Sequence, residues 1–142
     1  MRKILIASHG HVASGMKSAV KILTGDVSAL TAVDFYVDES DQTPVVEAFI
    51  NSVGPEDDAV IFTDLLGGSV CNKVLTLQPE KHGITHVTGF NLIAVLGCLL
   101  SDEPLTPAVV DEVIATASAQ LQRISVEPEA REDEETEDSF FA

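Results

Sequence analysis

Two short polar clusters in this chain carry residue types suited to group transfer. One is Ser8-His9-Gly10-His11, the other Asp64-Leu65-Leu66-Gly67-Gly68-Ser69. A carboxylate beside a histidine can accept a hydrogen bond from one ring nitrogen and fix the tautomer, which leaves the other nitrogen's lone pair free as a nucleophile. In that reading His9 attacks and Asp64 orients it. Gly67-Gly68-Ser69 adds a glycine turn feeding a helix N-terminus, where free backbone N–H groups and the helix dipole favour an anion such as a phosphoryl group. Each residue also has a purely structural reading: a turn for His9, a strand-end cap for Asp64, a helix cap for Ser69. Their combination is what describes a site that takes phosphate onto an imidazole.

The neighbours narrow the chemistry. His11 forms a His-x-His pair with His9, but no third ligand stands at a convincing spacing, so no metal is expected. Val12, Leu65 and Leu66 are apolar residues in loops that face solvent, a rim suited to a protein partner rather than a small sugar. Gly10, His11, Leu65 and Leu66 are therefore candidates for shaping the mouth and meeting that partner. The chain has neither a Gly-x-x-x-x-Gly-Lys-Ser/Thr loop nor a Gly-x-Gly-x-x-Gly, so a nucleotide donor has no support. No cofactor is required by the visible residues.

These clusters need a scaffold that brings them together. Short apolar runs alternate with longer amphipathic stretches, the pattern of a parallel sheet covered by helices on both faces. Strands are expected at Ile4 to Ser8, Leu30 to Val37, Asp58 to Thr63 and Thr85 to Gly89. Helices are expected over Ala13 to Leu23, from Thr43-Pro44 to about Asn51, from the Ser69 cap to about Leu77, from about Asn91 to Leu100, and over Ala108 to Leu121 after Thr106-Pro107. In such a doubly wound α/β sheet, function gathers beyond the carboxyl ends of the strands. His9 and Asp64 share one mouth if the first and third strands are neighbours. Gln122 to Val126 is a candidate final short strand.

Length and composition set the frame. The 142 residues, 45% of them apolar, suit one domain that needs no disulfide or metal to hold its core. The formal net charge of −15 argues against direct nucleic-acid binding, which depends on Lys and Arg neutralising phosphates. Residues 127–142 hold eight acids and one base and read as a disordered acidic tail behind a single domain spanning residues 1–126. The N-terminal apolar run breaks too early for a secretion signal, and no stretch is long enough for direct membrane insertion. With Cys71 and Cys98 read as reduced buried thiols, a cytoplasmic protein is expected.

In these residues the sequence resembles the IIA component of the mannose family of the bacterial phosphoenolpyruvate-dependent sugar phosphotransferase system. The matching pieces are the opening strand with Ser8-His9-Gly10, then Ala13-Ser14-Gly15-Met16, Phe62-Thr63-Asp64-Leu65-Leu66-Gly67-Gly68-Ser69 with Asn72, and Thr88-Gly89-Phe90-Asn91-Leu92. The resemblance implies a phosphocarrier that accepts a phosphoryl group from the phosphocarrier protein HPr and passes it to a IIB component, here on a separate chain. It implies phosphate on Nε2 of His9, Nδ1 facing Asp64, and Ser69 helping to bind the phosphoryl oxygens. It also implies a homodimer whose parallel sheet has the order 2-1-3-4, with a short edge strand exchanged between subunits, for which Gln122 to Val126 is the candidate. Val70 stands where many family members carry proline. Two other readings share the histidine: a regulatory module that reports phosphorylation state, and the phosphotransfer subunit of a dihydroxyacetone kinase.

Overall fold

The computed structural model describes residues 1–126, so the acidic tail read at 127–142 lies outside the described residues. Four strands, β1 (Arg2–His9), β2 (Leu30–Phe35), β3 (Asp58–Thr63) and β4 (Thr85–Thr88), form one sheet. Its order is β2-β1-β3-β4, and every pairing is parallel. This is the order that the resemblance implies.

Side chains alternate across the central strands because a strand has a period of two. Ile4 and Ile6 of β1, with Val60 and Phe62 of β3, face a core shared with α1 (Val12–Thr24), α4 (Leu92–Leu100) and α5 (Pro107–Ser118). Leu5 and Ala7, with Ala59 and Ile61, face the opposite core, filled from α2 (Thr43–Ser52) and α3 (Ser69–Thr76). Cys71 and Cys98 are both buried and unbridged, and burial pushes the Cys98 thiol up to about 11.

Three local expectations differ from the structure. The second helix is not capped by Thr43: the Asp41 carboxylate accepts from the Thr43 backbone N–H and hydroxyl, so Thr43 already lies inside α2. β2 stops at Phe35, two residues short of Val37, because Tyr36 turns into the left-handed region at φ 67°. Residues 122–126 form no strand in the single chain and join no sheet among the described residues. The expected caps of the last two helices are present: Asn91 accepts from Ala94 N–H, and Thr106 from Val109 N–H.

The two ends of the sheet are built differently. At the amino end, the Arg2 guanidinium bonds Asp58 and the carbonyls of Cys98, Ser101 and Glu103, so it ties the last turn of α4 to β1 and β3. Nearby, the Asp57 carboxylate accepts from Gly54 N–H and pairs with Lys3 and the chain's amino terminus. The Gly54 bond, followed by the Lys3 bond, lowers its pKa to about 2. A carboxylate with a depressed folded-state pKa contributes stability that is present above the ordinary value, near 4, and lost as pH falls through the folded value. Asp57→Asn is therefore expected to lower thermal stability at neutral pH, with the difference from wild type closing as pH drops from about 4 to 2. Melting curves across that range check this, and a difference independent of pH would refute it.

Candidate functional site

β1 lies beside β3, and the chain runs on from β1 toward β2 but from β3 toward β4, so a crevice opens at the carboxyl ends of β1 and β3. His9 ends β1 and Asp64 follows β3. They meet there. Asp64 Oδ2 accepts from the His9 backbone N–H and from ring Nδ1, each at 2.8 Å. Burial alone would raise the Asp64 pKa, but the bonds donated by the His9 backbone and ring outweigh it and hold the carboxyl below its ordinary value. Because the carboxylate is ionised and can only accept, the ring proton belongs on Nδ1 and the lone pair on Nε2. Asp64 Oδ1 is buried with no partner among the described residues.

Ser69 Oγ stands 3.3 Å from His9 Nε2. The expected cap role for Ser69 is corrected: Gly68 is the N-cap of α3, and no side chain caps that helix. Moving the cap one residue earlier releases the Ser69 hydroxyl toward the imidazole. The turn before it depends on its glycines. Gly67 has φ 75°, and a Cβ on Gly68 would lie 3.0 Å from Leu65 Cβ and 3.7 Å from His9 Cε1. A side chain there would push the turn off the ring. The first backbone N–H groups of α3, which follow the Gly67-Gly68 turn, have no partner within the helix.

Ser8 and Asp34 hold the start of α1 against the strand ends. Ser8 Oγ, fully buried, accepts from Ala13 N–H at 2.7 Å, and Asp34 accepts from the backbone N–H and hydroxyl of Ser14. Gly10, at φ 56°, donates its N–H to the Phe35 carbonyl and carries the chain from β1 into α1. His11 turns away from His9 and bonds Asp34 Oδ2 at 2.9 Å. Leu65 and Leu66, 57% and 85% exposed, stand with Val12 as apolar side chains open to solvent around the mouth.

Sequence reasoning missed Tyr36, which was counted inside the second strand. Its ring centroid lies 5.2 Å from that of His9, and its phenol donates to Ser69 Oγ at 2.8 Å. An aromatic residue just past a strand's carboxyl end was the available signal. His86 is half-buried within the edge strand β4 and bonds the Thr63 hydroxyl at 2.8 Å.

Fold and site thus define a doubly wound α/β domain with a carboxylate-oriented histidine at its switch point. The chain matches the family described as the fructose IIA component of the phosphotransferase system, EIIA-man, over residues 3–117. It belongs to that family, and it is a phosphocarrier component of a sugar phosphotransferase system. HPr and IIB components are the family's general partners.

Solved structures agree. A Klebsiella pneumoniae protein provisionally described as a phosphoenolpyruvate-dependent sugar phosphotransferase system permease is 28% identical, with a TM-score of 0.76, covering 86% of this chain and 90% of its own. Component EIIA of Streptococcus agalactiae is 24% identical with a TM-score of 0.76, covering 87% of this chain and 97% of its own. The mannose/sorbose-specific IIA subunit of Enterococcus faecalis is 17% identical with a TM-score of 0.74, covering 89% and 96%. The last two show the shared fold. No curated protein matches the chain significantly in sequence. Among the described residues no helix is long and apolar enough to cross a membrane.

Proposed function

We propose that His9 accepts the phosphoryl group from phospho-HPr on Nε2 and hands it to a IIB component. The observation that carries this is the imidazole held at both nitrogens, Nδ1 by Asp64 and Nε2 by Ser69. In the forward step the Nε2 lone pair forms the bond to phosphorus while the donor's N–P bond breaks and its electron pair returns to the donor ring. The Nδ1 proton stays in place, so the phosphorylated ring of His9 carries positive charge and Asp64 compensates it. Such transfer needs positioning and charge stabilisation rather than covalent help, and Ser69 with the Gly67-Gly68 turn offers donors to the phosphoryl oxygens. Leu65, Leu66, Val12 and the Gly10 turn form the rim that both partners would contact, in a cytoplasmic protein. The family match favours neither the regulatory module nor the dihydroxyacetone kinase subunit.

Incubation with phosphoenolpyruvate, enzyme I and HPr, read by intact mass, tests this proposal. One added, acid-labile phosphoryl group is expected. An unmodified mass beside phosphorylated HPr would overturn it.

The domain is taken as residues 1–126, and its oligomer as a homodimer. Among the described residues β4 is paired on one side only, and Ile124 and Val126 expose apolar side chains after α5, as a strand awaiting a neighbouring subunit's edge would. Sedimentation velocity at micromolar concentration is expected to give a dimer for the full chain and a monomer after deletion of residues 122–142. A monomeric full chain would rule out strand exchange.

A further inference from the structure

The role of Tyr36 is not assigned by the reading above. It is a non-glycine residue at φ 67°, a conformation that side chains seldom adopt, and this turn is what lays its ring beside the imidazole. The ring also meets a cation: Lys73 Nζ lies 4.8 Å from the Tyr36 centroid and 5.3 Å from that of Phe35. Lys73 comes from α3, one turn after Ser69, so the helix that presents the serine also fixes the tyrosine.

The hydrogen bonds run in one direction. The Tyr36 O–H donates to Ser69 Oγ, the Ser69 proton is left for His9 Nε2, and Nδ1–H donates to Asp64. A serine hydroxyl has one proton and rotates freely unless its oxygen is engaged. We propose that Tyr36 is a positioning residue for phosphoryl transfer, which by donating to Ser69 Oγ keeps the serine proton aimed at Nε2. This rests on the His9 reading. When Nε2 becomes bonded to phosphorus, the same serine proton turns to a phosphoryl oxygen, and Tyr36 keeps the serine oxygen in place for it.

The test is the kinetics of transfer from phospho-HPr to wild type, Tyr36→Phe, Ser69→Ala and the double variant, with thermal melts alongside. Tyr36→Phe keeps the ring and removes one neutral hydrogen bond, so kcat is expected to fall about fivefold with KM unchanged. The double variant is expected to be no slower than Ser69→Ala alone, because the tyrosine acts through the serine. A wild-type rate for Tyr36→Phe, an equal slowing on the Ser69→Ala background, or a change confined to KM would each overturn the proposal. His9→Ala separates the two readings. Phosphoryl uptake by His9→Ala overturns both, whereas an inert His9→Ala beside a Tyr36→Phe of wild-type rate overturns the Tyr36 proposal alone.

Discussion

His9→Ala is expected to take up no phosphoryl group from phospho-HPr, a loss to the detection limit, while remaining folded. The two effects separate because the imidazole is only one of two bonds that His9 makes to Asp64. Its backbone N–H, which donates to Oδ2 at 2.8 Å, survives the substitution and keeps the end of β1 tied to the end of β3. The ring is partly exposed and contributes little to the core, so losing its bond to the ionised carboxylate should cost about 1.5 to 3 kcal/mol. His82→Ala is the matched control. It removes an exposed histidine at the amino end of β4, away from the strands' carboxyl ends, so uptake should persist. Intact mass and a melting curve on each variant decide the matter. A phosphorylated His9→Ala would move the acceptor elsewhere, and a variant that failed to melt cooperatively would make the loss uninformative.

Asp64→Asn should produce the second largest effect, by a different route. The amide oxygen can replace Oδ2 and accept from both His9 N–H groups, but it brings no negative charge. Phosphorylation at Nε2 with Nδ1–H retained makes the ring cationic, and the neutral amide cannot compensate that charge. The amide nitrogen would occupy the place of Oδ1, buried and without a partner among the described residues, at a cost of about 1 to 3 kcal/mol for an unsatisfied donor. Flipping the amide relieves that burial only by setting its N–H groups against those of His9. Removing the orienting carboxylate from an imidazole in serine proteases slows catalysis about 10⁴-fold. A fall on the order of 10² to 10⁴ in single-turnover transfer is expected here, together with a lower melting temperature. A near-normal rate would reduce Asp64 to a structural tie between strand ends.

The proposed nucleophile and the carboxylate that bonds its ring were legible because chemistry-bearing types sit at strand ends. His9 and Asp64 each follow a run of apolar residues that only a buried strand explains, and a doubly wound sheet places such ends together. The order of the strands came from the resemblance, since local patterning does not say which strands pair. Ser69 was found for its hydroxyl but assigned the wrong local job, because Gly68 needs no side chain to begin α3. Tyr36 was lost to its surroundings: in Ala32-Val33-Asp34-Phe35-Tyr36-Val37, β-favouring types continue past the point where the backbone turns left-handed. Propensity has no means of seeing that turn. The segment 122–126 carries strand-like residues but no regular structure in the single chain; the proposed homodimer would supply the pairing edge that the single chain lacks.

The Arg2 clamp has a consequence for how this scaffold can change. It sits roughly 23 Å along β1 from His9, seven residues at the usual rise per residue, and it anchors both central strands and α4 from the far pole of the sheet. The loops at the reactive pole therefore share the work of holding the strands together rather than carrying it alone. The Leu65-Leu66 turn and the segment after Tyr36 can be exchanged for sequences that greet other partners, while the keel that keeps the strands in register goes untouched. A family can diversify its interlocutors on such a frame without renegotiating its fold.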